Sequence, residues 1–309
     1  MAEIIKKQDV PVLLMLFNRP EHTRKVFEKV REAKPTRLFV AGNGPRADVP
    51  KDIELCKAVQ DIFKEVDWEC ELHTNFNENN IGMNPQWYKA MDWFFQFVDR
   101  GIILEDDCVP HLSFFDYCHE LLEKYESDEQ IMHINGSNFQ FGQKRGDASY
   151  YFSKFPHVWG WATWKRAWNK YDFELKSFPA FKQNNVIDTI CPSLRERKYF
   201  MKYFERLYSK IYIDSAAKWL YAIWSNKGIV ITPNINLIAN IGYGLSAGNT
   251  VIKEKTMGQE VSDIMPLIHP VSRNVDVAAD EFTFKTAFYR GFFEKVRYKV
   301  MMWVSRMLK

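Results

Sequence analysis

Short, continuous runs of apolar residues alternate with amphipathic stretches along the first third of the chain. Residues 10–17 (VPVLLMLF) form one such run, and 37–41 (RLFVA) and 101–104 (GIIL) are further examples. Runs of this length predict strands that are buried on both faces, as in a mostly parallel sheet. The stretches between them place apolar residues at helical spacing and predict helices, for example at about 52–66 and 87–98. This alternation predicts an α/β fold with helices flanking the sheet.

A cluster of polar residues follows each of these predicted strands. The first strand is followed by 18–21 (NRPE), the second by 42–46 (GNGPR) and the strand at 101–104 by 105–107 (EDD). Because the carboxyl ends of parallel strands meet at one edge of the sheet, such folds bind their ligands there. The sequence therefore predicts a ligand site that these clusters share.

The second half of the chain departs from this regular alternation. Its most unusual part is the aromatic segment at 150–168 (YYFSKFPHVWGWATWKRAW). Pro156 and Gly160 favour a loop at its start, and we expect a helix to take over near Ala162. Around this segment and before it, the pattern predicts helices at about 114–125, 195–208 and 215–225, and strands near 68–73, 131–134 and 229–232.

The composition disfavours several classes of protein. The 42 Lys and Arg residues against 39 Asp and Glu give a net charge of only +3, so no chain-wide basic field favours nucleic acid as a partner. Ten Trp residues are more than a core usually needs, and Trp and Tyr rings also pack against sugars and membrane interfaces. The five cysteines show no CxxC spacing, which disfavours a disulfide framework and a zinc site. With a polar start and no apolar window of about 18 residues, we expect a cytoplasmic protein.

Three consecutive carboxylates end the strand at 101–104. Glu105, Asp106 and Asp107 repel one another unless a cation or strong hydrogen-bond donors offset their charge. Mg²⁺ or Mn²⁺ usually binds through one or two carboxylates together with substrate phosphates. The motif therefore favours metal-assisted chemistry on a phosphate-containing ligand, and a solvated acidic turn or helix cap is the alternative.

Several motifs in the same order resemble one enzyme family. The segment 104–115 (LEDDCVPHLSFF) resembles the metal motif of N-acetylglucosaminyltransferase I and of related bacterial nucleotide-diphospho-sugar transferases with the GT-A fold. The resemblance extends over roughly residues 10–250. It is carried further by 18–21 (NRPE), 44–46 (GPR), 80–82 (NIG), 151–164 (YFSKFPHVWGWATW) and 236–242 (NLIANIG).

The resemblance implies roles for individual residues. Asp107 would bind the metal directly, while Glu105 and Asp106 would contact the nucleoside and the waters of the metal. Around the nucleotide, the resemblance places Asn18, Arg19, Asn43, Arg46 and Gly82. Relatives commonly have Asp at the position of Asn43, so this chain departs from the family there.

The resemblance also implies a catalytic base. In an inverting transfer, the acceptor hydroxyl attacks the anomeric carbon opposite the leaving diphosphate, and a carboxylate takes its proton. Relatives often carry a Trp-Asp pair shortly before the segment that matches 219–224; here Asp214 is the nearest carboxylate, in an offset register. We expect Asp214 to be the base, with Asp172 and Glu174 as alternatives, and a helix N-cap is its structural interpretation.

Two interpretations apply to the aromatic segment. Trp159 or Trp161 would face a sugar, and His157 would donate to a phosphate or a sugar hydroxyl. Alternatively, Trp161, Trp164 and Trp168 are core residues, and His157 is a structural histidine. Farther on, 240–248 (NIGYGLSAG) is Gly-rich without the GxGxxG order, so we expect a mobile flap over the donor rather than a dinucleotide site.

Taken together, the resemblance implies a GT-A type, Rossmann-like mixed sheet, and a metal-dependent, inverting glycosyltransferase of the hexosyltransferase class. Its donor would be a nucleotide-diphospho-sugar with Mn²⁺ or Mg²⁺, and its acceptor a glycan or lipid-linked hydroxyl in bacterial surface glycan assembly. We expect one domain over 1–250, with a nucleotide-sugar half to about 110 and an acceptor half from 111. A metal-dependent phosphohydrolase or nucleotidyltransferase and an inactive carbohydrate-binding protein are the rival interpretations.

The C-terminal extension, residues 251–309, ends in a basic amphipathic segment. From residue 285 onward there are seven basic residues and one acidic residue, and Phe288, Phe292, Val296, Val300 and Trp303 share one helical face. This pattern predicts an interfacial helix that holds the enzyme on the inner face of an anionic membrane. A terminal helix packed on the protein or in a dimer is the alternative.

Overall fold

The structure, a computed structural model, describes residues 10–243 and 256–289 and confirms the predicted α/β class. It contains a mixed, mostly parallel eight-stranded sheet flanked by helices, in the strand order β3-β2-β1-β4-β8-β6-β9-β7. A separate two-stranded ribbon pairs β10 with β5. The strands are β1 (Val12–Leu16), β2 (Arg37–Gly42), β3 (Glu71–Phe76), β4 (Arg100–Glu105), β5 (Cys108–Pro110), β6 (Ile131–Asn135), β7 (Tyr150–Ser153), β8 (Trp161–Trp164), β9 (Ile229–Pro233) and β10 (Ile238–Asn240).

Helices cover both faces of the sheet. The long ones are α1 (Pro20–Ala33), α2 (Lys51–Ile62), α3 (Met83–Phe97), α4 (Ser113–Lys124), α8 (Leu194–Tyr208) and α9 (Ser215–Ser225). The short ones are α5 (Lys165–Trp168), α6 (Phe178–Gln183), α7 (Val186–Ile190) and α10 (Val277–Thr283), followed by a π-helical turn at Phe284–Phe288. None of the helices in the described part of the chain is long and apolar enough to cross a membrane.

The register of β1 explains why three polar clusters meet. β1 pairs in parallel with β2 on one side and with β4 on the other, so that Met15 lies opposite both Ala41 and Glu105. The pairing continues past the strand ends, because Asn43 N donates to Leu16 O (3.0 Å) and Asp106 N donates to Met15 O (3.1 Å). The residues that follow all three strands therefore lie at one edge of the sheet.

Alternate residues of each strand build two core layers. Leu13, Met15 and Ile103 face one layer, which contains α3 and most of the tryptophans, whereas Val12 and Leu14 face the other, with α1 and α4. Both layers include residues from before and after residue 110, so one sheet and one core join the two predicted halves.

Two predicted elements differ from the structure. The strand expected near 68–73 lies at Glu71–Phe76, and the helix expected from Ala162 is instead β8, with only the single turn α5 after it. β8 lies between β4 and β6 and is antiparallel to both. Its Trp161 faces one core layer, while Ala162 and Trp164 face the other. Packing on both faces of residues 161–164 therefore favours a strand, although the tryptophans are also at helical spacing.

Residues 290–309 and 244–255 lie outside the described residues. The expected basic amphipathic helix therefore falls mainly outside them, as does most of the predicted flap. The described part of the extension packs against the domain: Asp276 N donates to Phe152 O of β7 (2.8 Å), and Phe284 is buried in the core.

Candidate functional site

Glu105, Asp106 and Asp107 lie at the carboxyl edge of the sheet, at the end of β4. Asp106 and Asp107 are both buried. They share one cation: the guanidinium of Arg19, just after β1, bonds Asp106 through Nε (3.2 Å) and Nη2, and Asp107 Oδ2 through Nη2 at 2.9 Å. Burial lowers the pKa of Arg19, but attraction to Asp106 and Asp107 outweighs burial and raises it above its ordinary value. The two aspartates thus present their oxygens to one common position.

The carboxylates also affect one another. Burial, with repulsion from Asp107 and Asp106, raises the pKa of Glu105 to about 8. Burial raises the pKa of Asp106 to about 6, although the attraction of Arg19 opposes it. Trp87, in the second turn of α3, lies close enough to Glu105 to oppose this rise in its pKa. At neutral pH most of Glu105 is therefore protonated, which reduces the repulsion within the trio.

A second polar group lies beside the first, where β1 and β2 end. Asn18 Nδ2 donates to Asp52 Oδ1 (2.7 Å), and Arg46 donates to the same carboxylate through Nε (2.6 Å) and Nη2 (3.0 Å). Asp52, in the first turn of α2, is 1% exposed, and its bonds with Arg46 lower its pKa to about 2. One buried carboxylate thus fixes two residues that the resemblance places at the nucleotide. Asp52 itself was missed because it lies inside a helix, away from every strand end.

Asn43 joins two loops of this edge. Its Oδ1 accepts from Gly44 N and Ile81 N (both 3.0 Å), and its Nδ2 donates to Gly82 O (3.3 Å). Gly44 is pressed against the backbone of Asn79, which leaves no room for a Cβ, and Gly82 has a φ of 82°, which suits glycine. The amide of Asn43 is thus used within the protein, and its contact with a nucleotide stays a prediction.

A segment from the end of the domain covers Asp107. Ile241 N donates to Asp107 O (2.8 Å), Asn240 Nδ2 lies 3.4 Å from Asp107 Oδ1, and a Cβ on Gly242 would collide with the Asp107 carboxylate. The ribbon of β10 and β5 holds this segment in place. The structure therefore brings the 236–242 motif to the acidic trio.

The donor set fits a divalent ion that a diphosphate completes. No group of three or more His, Cys, Asp or Glu side chains among residues 10–243 and 256–289 is arranged to hold a metal by itself. Asp106 and Asp107 nevertheless supply hard oxygens that already face a shared cation, Arg19. Two protein carboxylates with phosphate oxygens are the usual ligands of Mg²⁺ in such sites.

Asp214 caps α9, as its structural interpretation predicts. Its Oδ1 accepts from Ala217 N (2.9 Å), and its Oδ2 accepts from the hydroxyls of Tyr203 (3.2 Å) and Tyr212 (3.1 Å). The next residue is tied to the first turn of α3, because Ser215 N donates to Asn84 Oδ1 (2.7 Å). Asp214 therefore lies beside α3, the helix whose Trp87 contacts Glu105, and its role as a base stays a prediction.

The two alternative carboxylates have other partners. Asp172 accepts from Ser177 N (2.9 Å) and Ser177 Oγ (2.8 Å), and Glu174 forms an ion pair with Lys210 at 3.1 Å. Burial raises the pKa of Asp172, but the hydrogen bonds from Ser177 outweigh it, so the net shift is downward. A carboxylate with a lowered pKa is a weaker proton acceptor, which disfavours Asp172 as a base.

The aromatic segment is divided between core and surface. Trp161 is 0% exposed and packs between Trp87 (5.9 Å between ring centroids) and His133 (4.7 Å), so the core interpretation describes it. Trp164 and Trp168 are also buried. His157 is buried against Phe139, and burial lowers its pKa to about 3, so its ring is neutral. Trp159 is partly exposed and is the one of these residues that remains available to a sugar.

No protein-family model matches the chain, and no curated protein matches its sequence. Solved structures give distant likenesses. A mannosyltransferase from Pyrobaculum calidifontis, in complex with GDP-Man and Mn²⁺, is 11% identical over 52% of this chain, with a TM-score of 0.36. The match spans 46% of that protein's chain, so this chain covers less than half of it.

Two other solved structures are similar at the same level. A UDP-glucose pyrophosphorylase complexed with UDP-glucose is 8% identical over 52% of this chain and 78% of its own, with a TM-score of 0.31. A cytidylyltransferase from Leptospira borgpetersenii serovar Hardjo-bovis is 11% identical over 66% of this chain and 73% of its own, with a TM-score of 0.32. At such identities and TM-scores these likenesses carry no conclusion about the function of this chain.

Proposed function

We propose that the protein is a metal-dependent, inverting glycosyltransferase that uses a nucleotide-diphospho-sugar as donor. The observation that carries the proposal is the pair Asp106–Asp107 at the carboxyl edge of the sheet, with Arg19 bridging both carboxylates. This pair lies next to Asn18 and Arg46, which Asp52 fixes in place. A diphosphate needs cations and a nucleoside needs polar side chains, and this edge supplies both.

One set of residues would bind the donor, and another carboxylate would act on the acceptor. Asp107, with Asp106, would hold Mn²⁺ or Mg²⁺, which when bound offsets the charge that develops on the leaving diphosphate. Arg19 would add hydrogen-bond donors to that diphosphate, while Asn18 and Arg46 orient the nucleoside. The flat face of Trp159 would pack against the sugar.

Asp214 would take the proton of the acceptor. The acceptor oxygen forms a bond with the anomeric carbon, the bond from that carbon to the diphosphate oxygen breaks, and the hydroxyl proton passes to the Asp214 carboxylate. Tyr203 and Tyr212, which donate to Oδ2, would orient this carboxylate. The acceptor would be a glycan or a lipid-linked hydroxyl, as in the assembly of a bacterial surface glycan on the cytoplasmic side of a membrane.

One observation favours a second candidate, an inactive carbohydrate-binding protein. Asp214 already accepts three hydrogen bonds, from Ala217 N, Tyr203 and Tyr212, as a purely structural helix cap would. The product separates the candidates: a glycosyltransferase releases nucleoside diphosphate, a nucleotidyltransferase or phosphohydrolase releases pyrophosphate or phosphate, and a binding protein releases nothing.

The test begins with thermal stabilisation by a panel of nucleotide-sugars, with and without Mn²⁺, because a ligand that binds only the folded state raises its melting temperature. We expect one donor to stabilise the protein only with Mn²⁺ present and to yield nucleoside diphosphate when acceptor is added. Metal-independent stabilisation by free glycans, with no donor that binds, would contradict the proposal.

A further inference from the structure

A row of basic side chains runs along the outer face of α8. Its inner face buries Glu196, Phe200, Phe204 and Leu207. Four exposed basic residues, Arg195, Lys198, Lys202 and Arg206, lie on the opposite face at spacings of three, four and four residues, so they form one stripe.

The charge of this stripe is not offset by nearby carboxylates. Among the residues that the structure describes, Lys198, Lys202 and Arg206 form no ion pair. The two acidic residues of α8 are occupied elsewhere, since Glu196 pairs with the buried Lys154 (2.8 Å) and Glu205 pairs with Lys182 (2.6 Å). Arg195 and Arg206 lie over the rings of Tyr289 and Tyr212, but the outer face of α8 has no ion-pair partner for Lys198, Lys202 and Arg206 among the described residues.

Apolar side chains continue the stripe where α8 ends. Ile211 is 71% exposed and Ile213 is 59% exposed, with Tyr212 between them. Asn84 Nδ2 donates to Ile213 O (3.2 Å), which places this turn beside the exposed Met83 at the start of α3. A turn that displays two isoleucines and a methionine to water is costly unless another apolar phase covers them.

The chain leaves the described structure next to the same helix. Tyr289, the last described residue, packs on Tyr199 of α8, and the guanidinium of Arg195 lies 5.4 Å above its ring. Residues 290–309 that follow it carry six basic residues and one acidic residue. Tyr289, after which these charges follow in the sequence, thus lies near the amino end of α8, opposite the apolar turn.

We infer that the outer face of α8 docks the protein on an anionic lipid surface, with the turn at residues 211–213 inserted among the lipids. Basic residues attract the headgroups, and exposed isoleucines enter the boundary between headgroups and acyl chains. A nucleic acid would pair with the lysines but has no apolar phase that could cover Ile211, Ile213 and Met83. This combination of charge and apolar surface is what favours a membrane over other anionic partners.

This surface explains the position of Asp214. Tyr212, within the inserting turn, donates to the carboxylate of Asp214, which follows one residue after Ile213. Docking would therefore bring the proposed base to the level of the headgroups, where a lipid-linked acceptor presents its hydroxyl. That consequence rests on the proposed function, whereas the docking itself does not.

The first experiment measures co-sedimentation of the full chain with phosphatidylcholine vesicles, with and without phosphatidylglycerol. We expect binding that needs phosphatidylglycerol and weakens with salt. Lys198→Gln with Lys202→Gln should reduce vesicle partitioning by about tenfold or more, since each basic residue near an anionic surface contributes substantially. The matched control, Lys25→Gln with Lys57→Gln on α1 and α2, should bind as the unmodified chain does. Equal binding of both double variants would overturn the inference.

The second experiment tests insertion of the turn, independently of charge. A nitrobenzoxadiazole dye on Ile211→Cys, in a Cys70→Ser background, should shift its emission to the blue with anionic vesicles. The same dye on Ile268→Cys, an exposed position beside β7, should not. Ile211→Ser with Ile213→Ser should also weaken vesicle binding, whereas Ile268→Ser with Val271→Ser should not. Unchanged emission at position 211 on vesicle-bound protein would overturn insertion.

The proposed function is assessed separately. Mn²⁺-dependent stabilisation by the donor, measured without vesicles, should be the same in every one of these variants. Variants of the α8 stripe or the turn that lose vesicle binding but still bind the donor would support the inference. If the unmodified protein binds vesicles but no nucleotide-sugar stabilises it, the inference holds while the proposed function fails.

Discussion

Individual carboxylates in this protein have different surroundings, and their expected roles follow from them. Asp106 and Asp107 share Arg19, Asp52 is held by Arg46, and Asp214 accepts from a backbone amide and two tyrosines. We propose that a metal and a phosphate bind where Arg19 bridges two carboxylates. For Asp214, whose position two tyrosine hydroxyls fix, we propose proton transfer instead.

Replacing Asp107 by alanine should abolish Mn²⁺-dependent binding of nucleoside diphosphate while the protein stays folded. The change removes a proposed metal ligand and one ion pair of Arg19, whereas Asp106 keeps its own bonds to Arg19, so we expect the fold to persist. Isothermal titration with Mn²⁺ present measures the effect, and Glu54→Ala, at an exposed position on α2, is the control. An unchanged metal-dependent affinity in Asp107→Ala would remove Asp107 from the metal site.

Replacing Asp214 by asparagine should reduce turnover by at least about a hundredfold, the range typical of a lost general base, with little effect on donor affinity. Asparagine keeps the shape and the capping oxygen but takes up no proton. A matched control exists: Asp276 caps α10 in the same way, by accepting from Ala279 N at 2.8 Å. The Asp276→Asn variant should turn over at the rate of the unmodified protein. If Asp214→Asn also keeps near-normal turnover, the base lies elsewhere and Asp172 or Glu174 should be tested.

At the scale of elements, the first turn of α2 organises the ends of β1 and β2. Asp52 binds Asn18 after β1 and Arg46 after β2, across elements that pair in the sheet. The first turn of α2 thus holds the polar residues that follow β1 and β2 in place through one side chain.

Asp52→Asn should weaken donor binding and lower the free energy of unfolding by about 2 kcal/mol, since hydrogen bonds to a charged group are lost from a buried position. The lowered pKa of Asp52 means that its contribution is present above about pH 4 and is lost as the pH falls towards 2. Urea unfolding at neutral pH and donor titration measure the two effects. Glu54→Gln, at an exposed position of the same helix, should change neither.

At the scale of the whole molecule, the C-terminal extension is joined to the domain through a buried acid. Asp280 of α10 accepts from Ser153 Oγ (2.6 Å) and Lys154 N (3.2 Å), and burial raises its pKa to about 7. Below that pH the folded protein holds a proton that the unfolded chain releases near pH 4. The contribution of Asp280 to stability therefore falls as the pH rises from about 4 to about 7.

Asp280→Asn should remove this pH dependence. Relative to the unmodified protein, the variant should gain about 2 kcal/mol between pH 5 and pH 8, because asparagine does not ionise. Urea unfolding at both pH values measures the gain. Glu281→Gln, which changes an exposed neighbour, should show no such gain, and a pH-independent difference for Asp280→Asn would contradict the assignment.

Local pattern was sufficient to predict much of the architecture. The apolar runs at 10–17, 37–41 and 101–104 were long enough to define buried strands, and they appear as β1, β2 and β4. Parallel pairing of these strands then brings the residues after them to one edge, so the meeting of Arg19 with Asp106 and Asp107 follows from the sequence pattern. Such strands can be predicted from the sequence because burial on both faces requires a nearly continuous run of apolar residues.

Only the tertiary structure decided the features that depend on distant partners. Trp161, Trp164 and Trp168 fit a helix by spacing, yet the gap between β4 and β6 makes 161–164 a strand. The role of Asp52 depends on Asn18, 34 residues earlier in the chain, and no local pattern marks such a pairing. The sequence by itself thus determined the strands β1, β2 and β4 and the meeting of the polar residues that follow them, because both depend on local composition. The structure decided which tryptophans are buried and which carboxylate binds Asn18 and Arg46, because both depend on packing between segments far apart in the chain.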